Sequence, residues 1–88
     1  MPNTEERNDF YKTVLSLENL DECRNFFEDI CTIKELDAIS QRLMVAKLLK
    51  SGKTFHEIAE VSGASSATIS RVNKCLMYGC GYKSVLKD

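Results

Sequence analysis

The segment SSATISRVNK, residues 65–74, sets Ser65, Ser66, Thr68 and Ser70 beside Arg71 and Lys74, and no Asp or Glu occurs from Val61 to Lys87. Short hydroxyls donate and accept hydrogen bonds, and Arg and Lys supply positive charge. Such a set can meet a polyanion at close range. A merely solvated face usually mixes both signs. On a helix, Ser66, Ala67, Ser70, Arg71 and Lys74 share one side, and Ile69 and Val72 form a buried stripe on another. Catalysis has less to work with. His56 is the sole histidine and has no cysteine close to it in sequence, no P-loop is present, and Cys23, Cys31, Cys75 and Cys80 form no C-x-x-C pair. No metal set follows from this spacing, and the cysteines read as reduced structural thiols. The expectation is that the chain is not an enzyme.

What positions the hydroxyl-rich face is the stretch Thr54 to Met77, TFHEIAEVSGASSATISRVNKCLM. Thr54 stands three residues before Glu57, the spacing of a capping box. Ile58, Ala59 and Ser62 follow at helical spacing. Gly63 stands where a tight turn needs a left-handed residue, and Ser65 or Ser66 can cap the next helix. Small Ala59 allows a second helix to cross closely. Short helix, turn with Gly, second helix is the pattern of a helix-turn-helix. An αα-hairpin packed into a core is the alternative.

Upstream, residues 4–17 predict a first helix with Phe10, Val14 and Leu17 on one stripe, widened by Tyr11 and Leu15, capped by Asn3 or Thr4 and favoured by Glu5 and Glu6. Residues 19–31 predict a second, with Leu20, Cys23, Phe27 and Ile30 on its core face and Phe26 broadening it. A third starts at a Thr32–Glu35 capping box and runs to about Lys50, near Gly52. Leu36, Ile39, Leu43 and Ala46 form its stripe, with Met44, Val45, Leu48 and Leu49 largely off it. A helix apolar on most sides is surrounded, which points to a partner subunit. A compact monomer covered by helices one and two is the alternative. Gly79 and Gly81 should end the last long helix, with a short turn from Lys83 to Leu86 packing back through Val85 and Leu86.

At 88 residues, 43% hydrophobic and 28% charged, the chain has room for one ordinary globular domain. No apolar run approaches the ~20 residues of a membrane span. The start, MPNTEERNDF, is polar and acidic, unlike a targeting peptide, so a cytoplasmic protein with no membrane partner is expected. The net charge of −1 hides a partition. Residues 1–39 hold four bases against ten acids, a net of −6, and residues 40–88 hold eight bases against three acids, a net of +5. The basic half carries the helix-turn-helix, a hint of nucleic-acid contact.

Residues 54–77 resemble the DNA-reading part of the Trp repressor family. The run GASSATISRVNKCL matches that family's turn and recognition helix, and CTIKELDAISQRLMVAKLL, residues 31–49, resembles the helix before it. The TrpR-like YerC/YecD branch is similar over the whole length. The resemblance implies an all-α fold of about six helices forming an intertwined homodimer that binds a double-stranded DNA operator. It implies a single domain over 1–88, with dimerisation helices in 1–51, the helix-turn-helix in 54–77 and a short C-terminal helix in 82–87. It places Ser66, Ala67 and Ser70 toward the major groove, with Thr68 near the backbone, and counts Ser65 and Arg71 among the DNA-binding residues. His56 stands where the family has a basic contact residue, and Lys53 and Lys74 are candidates for phosphate. In the family's repressor two arginines sandwich tryptophan. Arg42 and Arg71 match them and Thr32 matches a further contact, but Val72 replaces a glycine that leaves room for the ligand and Cys75 replaces a serine that binds it. The expectation is a transcriptional regulator, in form a repressor, with no cofactor and with an unidentified small-molecule corepressor, other than tryptophan, or none. A helical protein–protein interaction module without DNA binding is the alternative.

Overall fold

The computed structural model describes residues 3–87, and among them it contains six helices and no strand. Residues 1, 2 and 88, which the expected domain and the charge count include, lie outside the described residues. The chain divides into two compact units, the first ending at Leu36 and the second beginning at Asp37.

The first unit holds α1 (Thr4–Leu15), α2 (Leu20–Ile30) and the start of α3 (Ile33–Lys50). α1 stops two residues short of expectation. The Ser16 N–H folds back onto the Lys12 and Thr13 carbonyls and its hydroxyl donates to Thr13 at 2.6 Å. The chain must then extend to Asn19, whose side chain accepts from the Glu22 N–H at 2.9 Å and so caps α2. Asn3 occupies the cap position of α1 without a side-chain cap bond, so the expected capping there is not made. Phe10 meets Phe26 and Phe27 at ring-centroid distances of 6.2 and 6.3 Å, and those two meet edge-on at 5.4 Å, a spacing at which aromatic rings attract beyond their area burial. Phe10, Val14, Leu17, Cys23, Phe26 and Phe27 are half-buried, but the expected core extends too far. Tyr11, Leu15, Leu20 and Ile30 are exposed, Leu15 at 85%. Two short helices cannot cover two wide apolar stripes.

The second unit contains a small, well-buried core. Val45 and Ala46 of α3, Ile58 of α4 (Phe55–Ser62), Ala64 of the turn, and Ile69 and Val72 of α5 (Ser66–Tyr78) form one cluster, each at most 6% exposed. Leu48, Leu49 and Ala59 pack on its edge. Here the expected α3 stripe is corrected in part. Ile39 and Leu43 are exposed, Leu36 is half-buried, and Ala46 of that stripe is buried together with Val45, which was expected off it. A helix apolar around most of its circumference has no unique phase, so periodicity alone does not say which face its own chain covers.

The turn between α4 and α5 is fixed from several directions. Gly63 is left-handed at φ 71° and its N–H donates to the Ala59 carbonyl at 2.9 Å. The Ser62 hydroxyl donates to the Ile58 carbonyl at 2.6 Å and accepts from the Ala64 N–H at 3.1 Å. Gln41 of α3 reaches across and donates its amide to the Ser62 carbonyl at 3.1 Å. α5 then ends at Gly79, where a Cβ would stand 2.7 Å from the Cys75 carbonyl oxygen, so any other residue must shift the end of the helix. α6 (Gly81–Val85) lies one residue earlier and ends sooner than expected. It packs through Tyr82 and Leu86, while Val85, expected to pack, is exposed. Cys80 precedes α6, and it is exposed while the other three free thiols are half-buried.

Nothing lies within 4 Å of a Cβ built on Gly63, so a substitution there meets backbone strain without a clash. Gly63→Val should lower stability by more than about 1 kcal/mol, because β-branched residues resist the left-handed region. Gly63→Asn should lose less. Urea unfolding of both variants checks this, and a Val variant unfolding with the wild type would mean that the turn is not left-handed in solution.

Candidate nucleic-acid interface

α5 presents the residues singled out by sequence. Its N-cap is Ser65, whose hydroxyl oxygen accepts from the Thr68 N–H at 3.2 Å and whose hydroxyl donates to Thr68 Oγ1 at 3.1 Å. Both hydroxyls are thus occupied in starting the helix, and Thr68 is half-buried. Ser66, Ala67, Ser70, Arg71 and Lys74 are exposed, and Ile69 and Val72 on the opposite side are 1% and 2% exposed. Ala67, Ser70, Arg71, Lys74 and Cys75 line one depression of about 320 Å³. No carboxylate lies on this helix, so the field over the depression is set by Arg71 and Lys74.

The preceding helix contributes a different surface. The Thr54 N–H donates to Glu57 Oε1 at 2.9 Å, and the Glu57 N–H donates to the Thr54 hydroxyl oxygen at 3.2 Å, completing the expected capping box. His56 is exposed and its Nε2 lies 3.0 Å from Glu60 Oε1 one turn on. Lys53 lines a second depression of about 320 Å³ with Leu48, Glu57, Glu60 and Val61. α4 itself thus carries the carboxylates Glu57 and Glu60, with Lys53 just before it, and α5 offers only positive charge.

Of the candidate ligand residues, Arg71 and Cys75 share the α5 depression. Arg42 is exposed on α3. Thr32 is occupied in the α3 capping box, its N–H donating to Glu35 Oε1 at 2.7 Å and its hydroxyl oxygen accepting from the Glu35 N–H at 3.1 Å. Val72 belongs to the cluster that includes Val45 and Ala46 of α3. Sequence reasoning gave no role to Gln41 or Ala64, which fix the turn and hence the start of α5. Their signals were a long amide one turn before Val45 and the one apolar residue between Gly63 and Ser65. Among the described residues, no group of His, Cys, Asp and Glu could hold a metal ion, and no helix is long and apolar enough to cross a membrane.

The Thr54 N–H, and after it the Thr54 hydroxyl, hold the Glu57 carboxyl below the ordinary carboxylate range, with smaller help from Lys53 and His56. A carboxyl lowered in the folded state adds stability above its unfolded pKa and loses it as pH falls through the folded value. The contribution of Glu57 to α4 should therefore decline as pH falls from the usual Glu range through the lowered value. Carboxyl-carbon NMR should find Glu57 titrating below a reference peptide and Thr54→Ala moving it upward. An ordinary midpoint in the wild type would mean that the box is open in solution.

Comparison with known proteins agrees with this arrangement. The chain is 50% identical over 74 residues to the uncharacterized protein YerC of Bacillus subtilis strain 168, spanning 84% of this chain and 71% of that one. A TrpR-like protein from Eubacterium eligens ATCC 27750 superposes with a TM-score of 0.88 at 50% identity, covering 94% of this chain and 87% of the other. The crystal structure of a candidate Trp repressor from Staphylococcus aureus does so with a TM-score of 0.88 at 44% identity, covering 93% and 83%. The profile of the Trp repressor protein family matches residues 5–88. With its helix-turn-helix, its six-helix order and these matches along nearly its whole length, the chain belongs to the Trp repressor family.

Proposed function

We propose that this protein is a sequence-specific DNA-binding transcriptional regulator, a repressor in form, acting in the cytoplasm as a homodimer and as a single DNA-binding domain. The observation that carries the proposal is the exposed, acid-free, hydroxylated and basic face of α5 on a helix whose other face is buried. The N-terminal part of such a helix enters the major groove and approaches base edges. Ser66, Ala67 and Ser70 face the bases, Ser65 and Thr68 lie toward the backbone, and Lys53, His56, Arg71 and Lys74 take phosphates. Ser and Ala cannot make the bidentate guanine contact of an arginine. Specificity then rests on hydroxyls, methyl contacts, bridging waters and DNA shape, an expectation taken from family resemblance.

The exposed apolar residues of α3 support a second copy. Leu43 and Met44 line a depression of about 380 Å³ with Ser40, Lys47 and Leu48, and Ile39 is exposed on the same helix. Leaving these side chains in water forgoes burial that a partner can supply.

The experiment is selection of bound fragments from genomic DNA, followed by titration of the selected duplex at several salt concentrations. Two chains should bind per site. Lys74→Gln should reduce the magnitude of the log–log salt slope by about 0.9 for each phosphate it no longer neutralises, and Ser70→Ala should change sequence preference more than the slope. A chain that enriches no sequence and shows no salt-dependent binding would instead be a protein-interaction module.

Tryptophan is not the corepressor in this proposal. Overfilling a packed site costs about 1–3 kcal/mol, and Val72 adds an isopropyl group where the family's ligand needs space. Losing the serine hydroxyl at Cys75 costs about 0.5–1.5 kcal/mol more. Together these weaken binding by roughly one to three powers of ten at about 1.4 kcal/mol each. Calorimetry should show no tight tryptophan binding, and tryptophan should not change DNA affinity. Val72→Gly combined with Cys75→Ser is the pair that should restore a response. Micromolar tryptophan binding that tightens the wild-type DNA complex would overturn this, leaving another metabolite or no ligand without support.

A further inference from the structure

α5 is held by apolar burial at one place and by a directed bond at another. Its buried residues are Ile69 and Val72. They stand three residues apart, about 4.5 Å along a helix that rises 1.5 Å per residue, a short base for a helix of 13 residues. Apolar burial is non-directional, so this base holds α5 down on the core and leaves its ends free to swing. Ahead of the helix, Ala64 adds one buried methyl at the turn. The directed restraint comes from α3. Gln41 is half-buried and donates from Nε2 to the Ser62 carbonyl at 3.1 Å, across 21 residues of sequence. The carbonyls of a helix's last turn have no partner within the helix, and Ser62 is the last residue of α4. A hydrogen bond weakens steeply as its angle falls, so this one fixes direction as well as distance. The Ser62 hydroxyl accepts from the Ala64 N–H at 3.1 Å, and Ser65 caps α5 directly after it. The restraint thus reaches the first turn of α5 through a chain of short bonds.

We propose that Gln41 is a positioning residue for DNA reading: its bond to Ser62 sets the direction of the first turn of α5, and with it the accuracy with which Ser66 and Ala67 meet base edges. The proposal rests on the regulator function above. Functional groups must be held within about 10–20° of their working direction. A swing of that size about the Ile69–Val72 base moves Ser66, about 7 Å away along the axis, by about 1–2 Å. Hydrogen-bond lengths span only about 0.5 Å, so a hydroxyl contact to a base does not survive the swing. Ser70 lies between Ile69 and Val72 and barely moves. Lys74 lies two residues beyond Val72, and its flexible four-carbon stem follows a phosphate. Loss of the Gln41 bond therefore costs sequence preference at the bases nearest Ser66 and Ala67 and spares the electrostatic part of binding.

Two variants of the full chain test this. Gln41→Leu removes the donor. Gln41→Glu keeps the shape, and its carboxyl only accepts when ionised but donates when protonated. pH then switches the bond on and off within one chain, and the wild type at the same pH values controls for titration of His56 and Glu57. NMR residual dipolar couplings of backbone amides report the direction of α5 against residues 37–50 of α3 without DNA. The direction should shift in Gln41→Leu and in Gln41→Glu at neutral pH, and return toward the wild type in Gln41→Glu in acid. On the selected DNA, discrimination at the bases nearest Ser66 and Ala67 should fall about fivefold or more, the low end for one base pair. Discrimination at the bases nearest Ser70 and the salt slope should hold, and acid should restore the lost preference in Gln41→Glu alone. Unchanged couplings overturn the proposal. Loss of preference spread evenly over the site, or loss of helix by circular dichroism in both variants, overturns it in favour of a merely structural role. If the wild type selects no sequence, the regulator function fails, and the couplings by themselves decide whether Gln41 directs α5.

Discussion

The arrangement of the second unit depends on one packing contact, where Val45 and Ala46 of α3 meet Ile58, Ala64, Ile69 and Val72. Its members come from three helices and the turn, so no pair of elements can move without opening it. Two of the six are alanines, which lets backbones approach closely while the larger Ile and Val side chains fill the remaining space. α5 contributes two members three residues apart. With 3.6 residues per turn, burying Ile69 and Val72 leaves Ser66, Ala67, Ser70, Arg71 and Lys74 directed to water. The chemistry of the exposed face is thus a consequence of the buried one.

What the sequence made legible was mostly local. The capping boxes at Thr32–Glu35 and Thr54–Glu57, the left-handed Gly63 and the Ser65 cap are set by groups within three or four residues of one another, and each forms as read. Long-range packing was less legible. Leu20 and Ile30 have the spacing of a core face but are exposed, because a stripe says that a helix has something to bury and not what buries it. The same limit left Ile39 and Leu43 of the expected α3 stripe uncovered and hid the bond of Gln41 to Ser62, which spans 21 residues.

At the candidate site, the face that the sequence set on the outside of α5 is exposed, but the sequence could not say which hydroxyls were already occupied. Ser65 and Thr68 face one another in the cap, leaving Ser66 and Ser70 as the exposed serines within α5. The overall charge of −1 was uninformative by itself. Electrostatic attraction to a polyanion is governed by charge within about a Debye length, some 8–10 Å in ordinary salt, so the acid-free run from Val61 to Lys87 says more than the net charge of the whole chain.

Val72 bears on how such a helix can be regulated. A ligand shifts a conformational equilibrium only by its difference in affinity for the two states. A small molecule that orders a recognition helix therefore needs a helix that is loosely held without it. In this chain Val72 is 2% exposed and shares the cluster with Val45 and Ala46, and burying a Val side chain contributes about 1.5–3 kcal/mol. Moving an equilibrium from 1:99 to 99:1 takes about 5.5 kcal/mol, so one buried valine covers a substantial part of that interval without any ligand. A glycine at the same position would remove the contact and loosen the helix itself by about 1 kcal/mol. Burial of Val72 thus does part of what an ordering ligand would otherwise have to do.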